Sequence, residues 1–515
     1  MSTPLPAFAY AFARHQGVLL LGMDGAAARA RVGLREDADP IALLEARRSL
    51  GVELDVDVLP RADFDRRLSE LYADAALAGG TGIELPGDLD ALAGDLPATA
   101  DLLDARDDAP VIRLINGLIA EAARIGASDV HIEPFDPALV VRMRVDGVMR
   151  EALRLPGRVA PLLVSRVKVM ARLDIAEKRL PQDGRIGLTM GSRALDVRVS
   201  TLPARSGERV VLRILDKEQG TLPIDGLGMQ PPVLDALRRA LRQPHGIILV
   251  TGPTGAGKTT TLYAALGSLH DGSRNILTVE DPVEYAIDGV GQTQVNARVG
   301  MSFAAGLRAI LRQDPDVVMV GEVRDPETAQ IAVQASLTGH LVLSTVHTND
   351  APGAVTRLRD MGIEPFLLAS SLRLVVAQRL LRRLCTACRE PMHGEALSAA
   401  LEALGHGIDG HAGAVHRGDA GHPADTLLYR ATGCARCSHT GYAGRLAIHE
   451  ALEVDERIRH LVGAGADEDA LAGAAFTGAS PRLGDAARAA VLRGDTTLEE
   501  AMRITRQELK DHGGV

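Results

Sequence analysis

The sequence predicts an α/β protein whose centre is a doubly wound, largely parallel sheet, and three observations predict it. Four short, mainly apolar runs, Ile247–Val250, Ile276–Val279, Val317–Val320 and Leu341–Ser344, alternate with helical patterns; short runs that are apolar without strict alternation read as buried strands. The first run passes directly into a glycine-rich loop and then into a helical stretch opened by Thr259, Thr260 and Leu262. Finally, 515 residues with 46% hydrophobic and 24% charged content describe an ordinary globular chain of about three or more domains, each able to bury its own core.

The loop is the most specific element. Gly252, Pro253, Thr254, Gly255, Ala256, Gly257, Lys258 and Thr259 fit G-x-x-x-x-G-K-[ST] in full, and Thr260 continues into the helix. Glycines let successive backbone N–H groups face one anion, and the helix adds its positive end. Lys258 is placed for the β- and γ-phosphates and the Thr259 hydroxyl for Mg²⁺. A glycine turn alone needs neither the lysine nor the strand before it. The pattern implies a bound nucleoside triphosphate.

The other elements follow in chain order. Residues 1–80 mix apolar segments such as Val18–Leu21 with a helical run over Ile41–Leu50, a small α/β domain. From Thr81 to Pro110 eight acidic residues face one arginine among Gly, Pro and Ala, a solvated linker placed at 81–105. Pro110 introduces a helical period at Val111, Leu114, Ile115, Leu118 and Ile119. Strand-like segments at Asp129–Ile132, Leu139–Val145, Leu195–Val199 and Arg209–Leu215 complete a second α/β domain over 106–220. The nucleotide-binding core spans 221–384. A cysteine-bracketed insert occupies 385–440, and 441–515 reads as a C-terminal helical region rich in Ala and Arg. No internal repeat occurs.

Composition excludes several classes. A net charge of −10 and only 3% aromatic residues, with no Trp, argue against a broad grip on nucleic acid. No apolar run approaches a membrane span, and the Val18–Met23 run is too short for a signal peptide and ends at Asp24. The reading is a cytoplasmic protein. Its four cysteines form two C-x-x-C pairs, Cys385/Cys388 and Cys434/Cys437, with 45 residues between them. Two such knuckles supply a tetrahedral thiolate set for Zn²⁺. Disulfides are the rival, disfavoured in a reducing compartment. A mixed ligand set drawing on His393, His406, His411, His416 or His422 is another, although their irregular spacing suits loop residues better.

Two further blocks sit where ligands bind in such sheets, at strand ends. Ile276–Val279 runs into Glu280-Asp281-Pro282-Val283-Glu284, whose carboxylates suit Mg²⁺ or the polarisation of water. Taken alone this is an acidic turn. Val317–Val320 runs into Gly321-Glu322-Val323-Arg324-Asp325, with Gly-Glu where an Asp usually ends a Walker B strand. His340 and His347 flank the next strand; a lone histidine is usually packing, and two at the ends of one buried strand point to the site.

These four blocks, in this order, resemble the type II/type IV secretion-pilus ATPase superfamily. The paired C-x-x-C resembles its extension-type members, which carry a zinc subdomain. The first segment, Tyr10-Ala-Phe-Ala-Arg-His-Gln-Gly-Val-Leu-Leu, looks like the first domain of the type II secretion members. The resemblance implies a RecA-like P-loop ATPase core, preceded by two smaller α/β domains (the second PAS-like), with a zinc-binding insert and a C-terminal helical region. It implies ATP, Mg²⁺ and Zn²⁺ as cofactors, Glu284 as the general base, and Glu322 as the metal-linked carboxylate. His340 and His347 would sense the γ-phosphate and the subunit boundary. Arg198 and Arg213 of the second domain, with Arg308 and Arg312 of the core, would stabilise transferring charge; the last two are an i, i+4 pair that a helix places on one face. Surface ion pairing is the alternative role of such arginines. The implied assembly is a homo-hexamer acting on protein secretion. Its partners would be two inner-membrane components of the secretion system, docking protein L and platform protein F, with membrane contact only indirect. The pilus extension motor is the neighbouring reading, and a ring-shaped DNA translocase the one from another class.

Overall fold

The computed structural model describes residues 8, 12–13, 16–24, 29–61, 63–64, 67–68, 109–190, 193–216, 222–405, 427–477 and 480–505. The expected linker at 81–105 and His406, His411, His416 and His422 lie outside the described residues. The chain forms two compact units, 1–219 and 220–515.

In the first unit, β1 (Val18–Asp24) pairs antiparallel with β2 (Arg29–Arg35), and helix α1 (Ala42–Leu50) returns the chain to β3 (Glu53–Leu59), parallel to β2. Val18, Leu19, Val32 and Phe64 form its core, which Val169 and Ile175 of the second domain join. That second domain opens with α2 (Ala109–Arg124), whose Leu114, Ile115, Leu118 and Ile119 lie on one buried stripe as their spacing predicts. Strands β4 (Ala127–Pro134), β5 (Ala138–Val145) and β6 (Val148–Pro156) follow, then α3 (Ala160–Met170), β7 (Gln182–Met190), β8 (Arg193–Ala204) and β9 (Gly207–Asp216). The six strands form one antiparallel sheet in the order β6-β5-β4-β9-β8-β7. Val130, Ile132, Val141, Met143, Val197, Val199, Val210 and Leu212 face α2 and α3, and period-two alternation sends the intervening polar side chains to the other face. Sequence reading misses β6 and β7. In β6 charges interrupt the apolar positions, and in β7 Gly184 and Gly187 read as turn residues.

The second unit is built on a seven-stranded sheet. Helix α4 (Pro231–Leu241) precedes β10 (Gly246–Thr251), and α5 (Lys258–Leu269) follows it. Next come β11 (Ile276–Glu280), β12 (Gly291–Gln294), α6 (Phe303–Ile310), β13 (Val317–Val320), α7 (Pro326–Leu337), β14 (Leu341–Val346), α8 (Ala351–Asp360), α9 (Pro365–Ser371) and β15 (Leu372–Leu384). The insert holds the short paired strands β16 (Glu390–Pro391) and β17 (Tyr429–Arg430) and helix α10 (Gly394–Gly405). The chain then returns as β18 (Tyr442–Glu453). The strand order is β12-β11-β13-β14-β10-β15-β18, with β18 antiparallel to β15 and every other pair parallel. Every residue of β10, β13 and β14 is buried, as strands apolar on both faces require, and the buried hydroxyls of Thr251, Ser344 and Thr345 all find backbone carbonyls. The boundary drawn at 440 therefore needs correcting. The chain leaves the sheet through the insert and comes back to it as β18, so the 441–515 region begins inside the core. Among the described residues no helix is long and apolar enough to cross a membrane.

Helices α11 (Glu456–Gly463), α12 (Glu468–Ala475), α13 (Leu483–Leu492) and α14 (Leu498–Thr505) close the unit. Two buried carboxylates fasten them. Glu450 on β18 accepts the N–H groups of Ala351 and Leu483, the first residues of α8 and α13, at 2.8 and 3.0 Å; a carboxylate there meets the positive ends of both helices. Glu500 on α14 takes Arg382 of β15 (2.7 Å) and Arg503 (2.7 Å) and accepts the Arg382 backbone N–H (3.1 Å). Burial raises the Glu500 pKa, but the arginines outweigh it and bring it down from 4.5 to about 2. A depressed carboxylate stabilises the fold in full above its unfolded value and loses that contribution as pH falls through the folded one. Glu500→Ala should cost about 3 kcal/mol at neutral pH, the low end for a broken buried pair because Arg503 is half exposed. In thermal or denaturant unfolding, its deficit against wild type should shrink as pH drops from 4.5 towards 2. A deficit independent of pH would contradict the ionic account.

Candidate active site

The loop between β10 and α5 is shaped by what passes beside it. Gly252 (φ +144°) and Gly257 (φ +87°) adopt backbone conformations that side chains disfavour. A Cβ at Gly252 would lie 2.4 Å from the Gln378 carbonyl oxygen, and one at Gly257 would lie 2.8 Å from Gln378 Nε2. Strand β15 thus packs its buried Gln378 against the loop, while the Thr261 hydroxyl on α5 donates to Gln378 Oε1 (2.6 Å). Lys258 reaches back over the loop and donates to the carbonyls of Gly252 (2.7 Å) and Pro253 (3.2 Å). Pro253, Thr254, Gly255, Thr259 and Thr260 are exposed, and Ala256 is buried beneath them. A cradle of positive-φ glycines, a lysine and an exposed hydroxyl at the start of a helix fits a triphosphate with Mg²⁺.

The C-terminal ends of β13 and β14 bring two more groups to Lys258. His347 Nδ1 lies 3.4 Å from Lys258 Nζ, and His347 Nε2 lies 3.4 Å from Glu322 Oε2. Glu322 also pairs with Arg324 at 2.5 Å. Burial and the nearby ammonium lower the His347 pKa. The neutral ring then accepts from Lys258 at Nδ1 and turns Nε2–H toward Glu322, a tautomer assigned by these partners. The turn carrying His347 is held by Thr251, the last residue of β10, whose hydroxyl accepts the Thr348 N–H (2.9 Å). Burial lowers Lys258 to about 8, the Glu322 charge working against it and Arg379 with it.

The three carboxylates of the acidic block separate. Glu280 is buried and committed to protein groups: Tyr263 and Thr278 (2.6 Å) donate to it, as does the Gln292 amide (3.0 Å). It is not available to Mg²⁺ or to water in this arrangement, which corrects the expectation that all of the block's carboxylates could hold Mg²⁺ or polarise water. Asp281 is exposed, and Glu284 is half-buried on the loop after β11.

His340 lies at the opposite end of β14 from His347; its Nδ1 is 2.8 Å from the Ala335 carbonyl. One strand therefore carries the two histidines to different places, and only His347 meets Lys258. Arg308 pairs with Glu327 at 2.5 Å. Arg312 falls beyond the end of α6, its Nη1 donating to the Arg308 carbonyl (2.9 Å), so the expected single helical face ends before it. Arg198 and Arg213 stand directly opposite each other on β8 and β9, and Arg213 pairs with Asp129 at 3.0 Å. The same cross-strand row includes Arg185 on β7, which sequence reading did not single out. Its signal was the alternation Arg185-Ile186-Gly187-Leu188, legible only once the β7–β8 register is known.

The four cysteines converge. Their Sγ atoms all lie within 4.8 Å of one another, with Cys385–Cys434 at 4.0 Å and both Cys388–Cys437 and Cys434–Cys437 at 3.8 Å. Zn–S bonds of about 2.3 Å in a tetrahedron imply sulfur separations of roughly 3.8 Å. The Cys434 and Gly441 N–H groups donate to Cys437 Sγ, both at 3.2 Å. Burial opposes the Cys437 thiolate, but these donors bring it down to about 6, while burial pushes Cys388 up to about 11. Four cysteine sulfurs this close can all ionise only around a cation, and the set fits Zn²⁺; His393 is not part of this group.

A phosphate-binding loop at the ends of a parallel sheet, facing a histidine and a carboxylate, defines a P-loop ATPase. Residues 104–503 match the family described as type II/IV secretion system protein, and residues 5–72 match an N-terminal domain described for GSPII protein E. Type II secretion system protein E of Pseudomonas aeruginosa is 51% identical over 99% of this chain and 100% of its own. Type II secretion system ATPase E of Vibrio cholerae is 53% identical over 90% of each chain. The X-ray structure of the Yersinia pseudotuberculosis ATPase DotB shares the fold at 19% identity, covering 76% of this chain and 93% of its own with a TM-score of 0.53. The chain belongs to the type II/IV secretion system protein family, and its full-length relatives are type II secretion E proteins. It is an ATP-hydrolysing enzyme.

For the cysteine cluster, metal analysis of the purified chain should find about one zinc per chain. Cys434→Ser/Cys437→Ser should lose it and destabilise the insert while nucleotide still binds. Metal-free wild-type protein that melts at the same temperature as the loaded form would contradict a structural zinc.

Proposed function

We propose that this chain is the cytoplasmic motor of a type II secretion system, a homo-hexamer that hydrolyses ATP to drive pseudopilus assembly and protein export. The observation that carries this reading is the meeting of Lys258, His347 and Glu322 beside the glycine loop, with successive contacts of 3.4 Å. The match of residues 5–72 to the N-terminal domain of GSPII protein E favours secretion over the pilus extension motor. The first domain would dock on the inner-membrane protein L, and the motor would act on the platform protein F, so that membrane contact is indirect. Lys258 and the loop N–H groups bind the β- and γ-phosphates, and Thr259 and Glu322 would hold Mg²⁺, which neutralises phosphate charge. Glu284 orients the attacking water and takes its proton. His347 reads the γ-phosphate from its place against Lys258, and His340, at the far end of its strand, serves a subunit boundary. Arg198, Arg213, Arg308 and Arg312 supply positive charge to the transferring phosphoryl, as arginine fingers do.

The test mixes two inactive variants. Lys258→Ala should lose nucleotide binding, whereas Arg213→Ala should bind ATP nearly normally and turn over on the order of a thousandfold more slowly. Equimolar mixtures that regain ATPase activity place Arg213 across a subunit boundary; no recovery places it within one chain. Wild-type turnover by Arg213→Ala alone would remove Arg213 from the chemistry.

A further inference from the structure

We propose that Tyr263 is a positioning residue that fixes the Glu284 loop on the phosphate-loop helix; this rests on the reading of Glu284 as the general base. Tyr263 sits in the second turn of α5, fully buried. A phenol hydroxyl has one proton to give and two lone pairs to share, and here it both donates and accepts. It donates to the Glu280 carboxylate at the end of β11. It accepts the Glu284 backbone N–H at 3.3 Å, and Gln292 Nε2 of β12 stands 3.4 Å away. Gln292 in turn donates to Glu280 (3.0 Å) and to the Tyr285 carbonyl (3.1 Å), and its oxygen accepts the Ile287 N–H (2.7 Å). The Tyr285 ring packs edge-on against Tyr263 with centroids 4.6 Å apart. One hydroxyl on the helix that begins at Lys258 therefore grips the loop that carries Glu284, and a glutamine braces the same loop from the next strand.

The arrangement asks for a functional reason. Burying Glu280 is costly unless its oxygens are hydrogen-bonded, and a packed apolar side chain would close the same gap without it. What the polar network adds is direction. It fixes the backbone at Glu284 relative to Lys258, the two positions whose separation sets the distance between the water and the γ-phosphate. Displacing a catalytic group by about 1 Å can cost on the order of a hundredfold in rate while leaving substrate binding intact.

The experiment is steady-state Mg-ATP hydrolysis by the full chain. Tyr263→Phe keeps the ring and removes the hydroxyl; kcat should fall by about tenfold or more while KM for ATP stays within about twofold. Glu284→Gln alone should be slower still, and Tyr263→Phe added to it should cost little more, because the hydroxyl acts only through Glu284. Gln292→Ala, at a half-buried position, should reproduce the kcat-selective loss if Tyr263→Phe folds poorly. Wild-type kcat in Tyr263→Phe overturns the proposal, as does wild-type kcat in Gln292→Ala. So does a double variant slowed by the product of the two single effects. Wild-type turnover in Glu284→Gln would instead sink the general-base reading itself.

Discussion

The site depends on the packing of β15 against the glycine loop. Gln378 places its backbone oxygen where a side chain on residue 252 would be, and its amide where one on residue 257 would be. The loop can only take its shape because both positions are glycine, and it can only keep it because β15 is held in place. That strand is fixed between β10 on one side and β18 on the other. Its far end is tied through Arg382 to Glu500 of the last helix. The C-terminal helices are therefore part of what holds the phosphate loop, although they lie far from it in the chain.

From that fixed loop the electrostatics follow. Lys258 lies over the loop carbonyls beside a neutral His347, and the carboxylate of Glu322 stands behind the imidazole. Burial disfavours the ammonium in this setting, so the lysine is poised to gain from an anion. Thr251 and Thr348 fix the backbone of the histidine turn to the strand that feeds the loop through a part-buried hydrogen bond.

Local patterns were legible in the sequence, and long-range ones were not. The loop, the strands before it and the paired cysteines each depend on residues a few positions apart, and the spacing states the chemistry. β15 was missed because leucines and arginines, good helix formers, flank its short Val375-Val376 core, and burial between two strands holds the segment extended. Glu280 read as a free carboxylate because Tyr263 and Gln292, its partners, sit on other elements. Tyr263 drew no expectation from the sequence, since nothing in α5 announces a hydroxyl that must reach β11. The arginine row across β7, β8 and β9 needed the strand register before Arg185 could join Arg198 and Arg213.

The central claim is that Lys258 is the counter-charge of the bound triphosphate. It is tested most directly by the dissociation constant for ATP on the full chain, measured from about pH 7 to about pH 10. With Lys258 at about 8 in the free protein, affinity should hold steady at lower pH and then weaken by up to about tenfold per pH unit as the ammonium deprotonates. Affinity that stays constant across the whole range would contradict the claim.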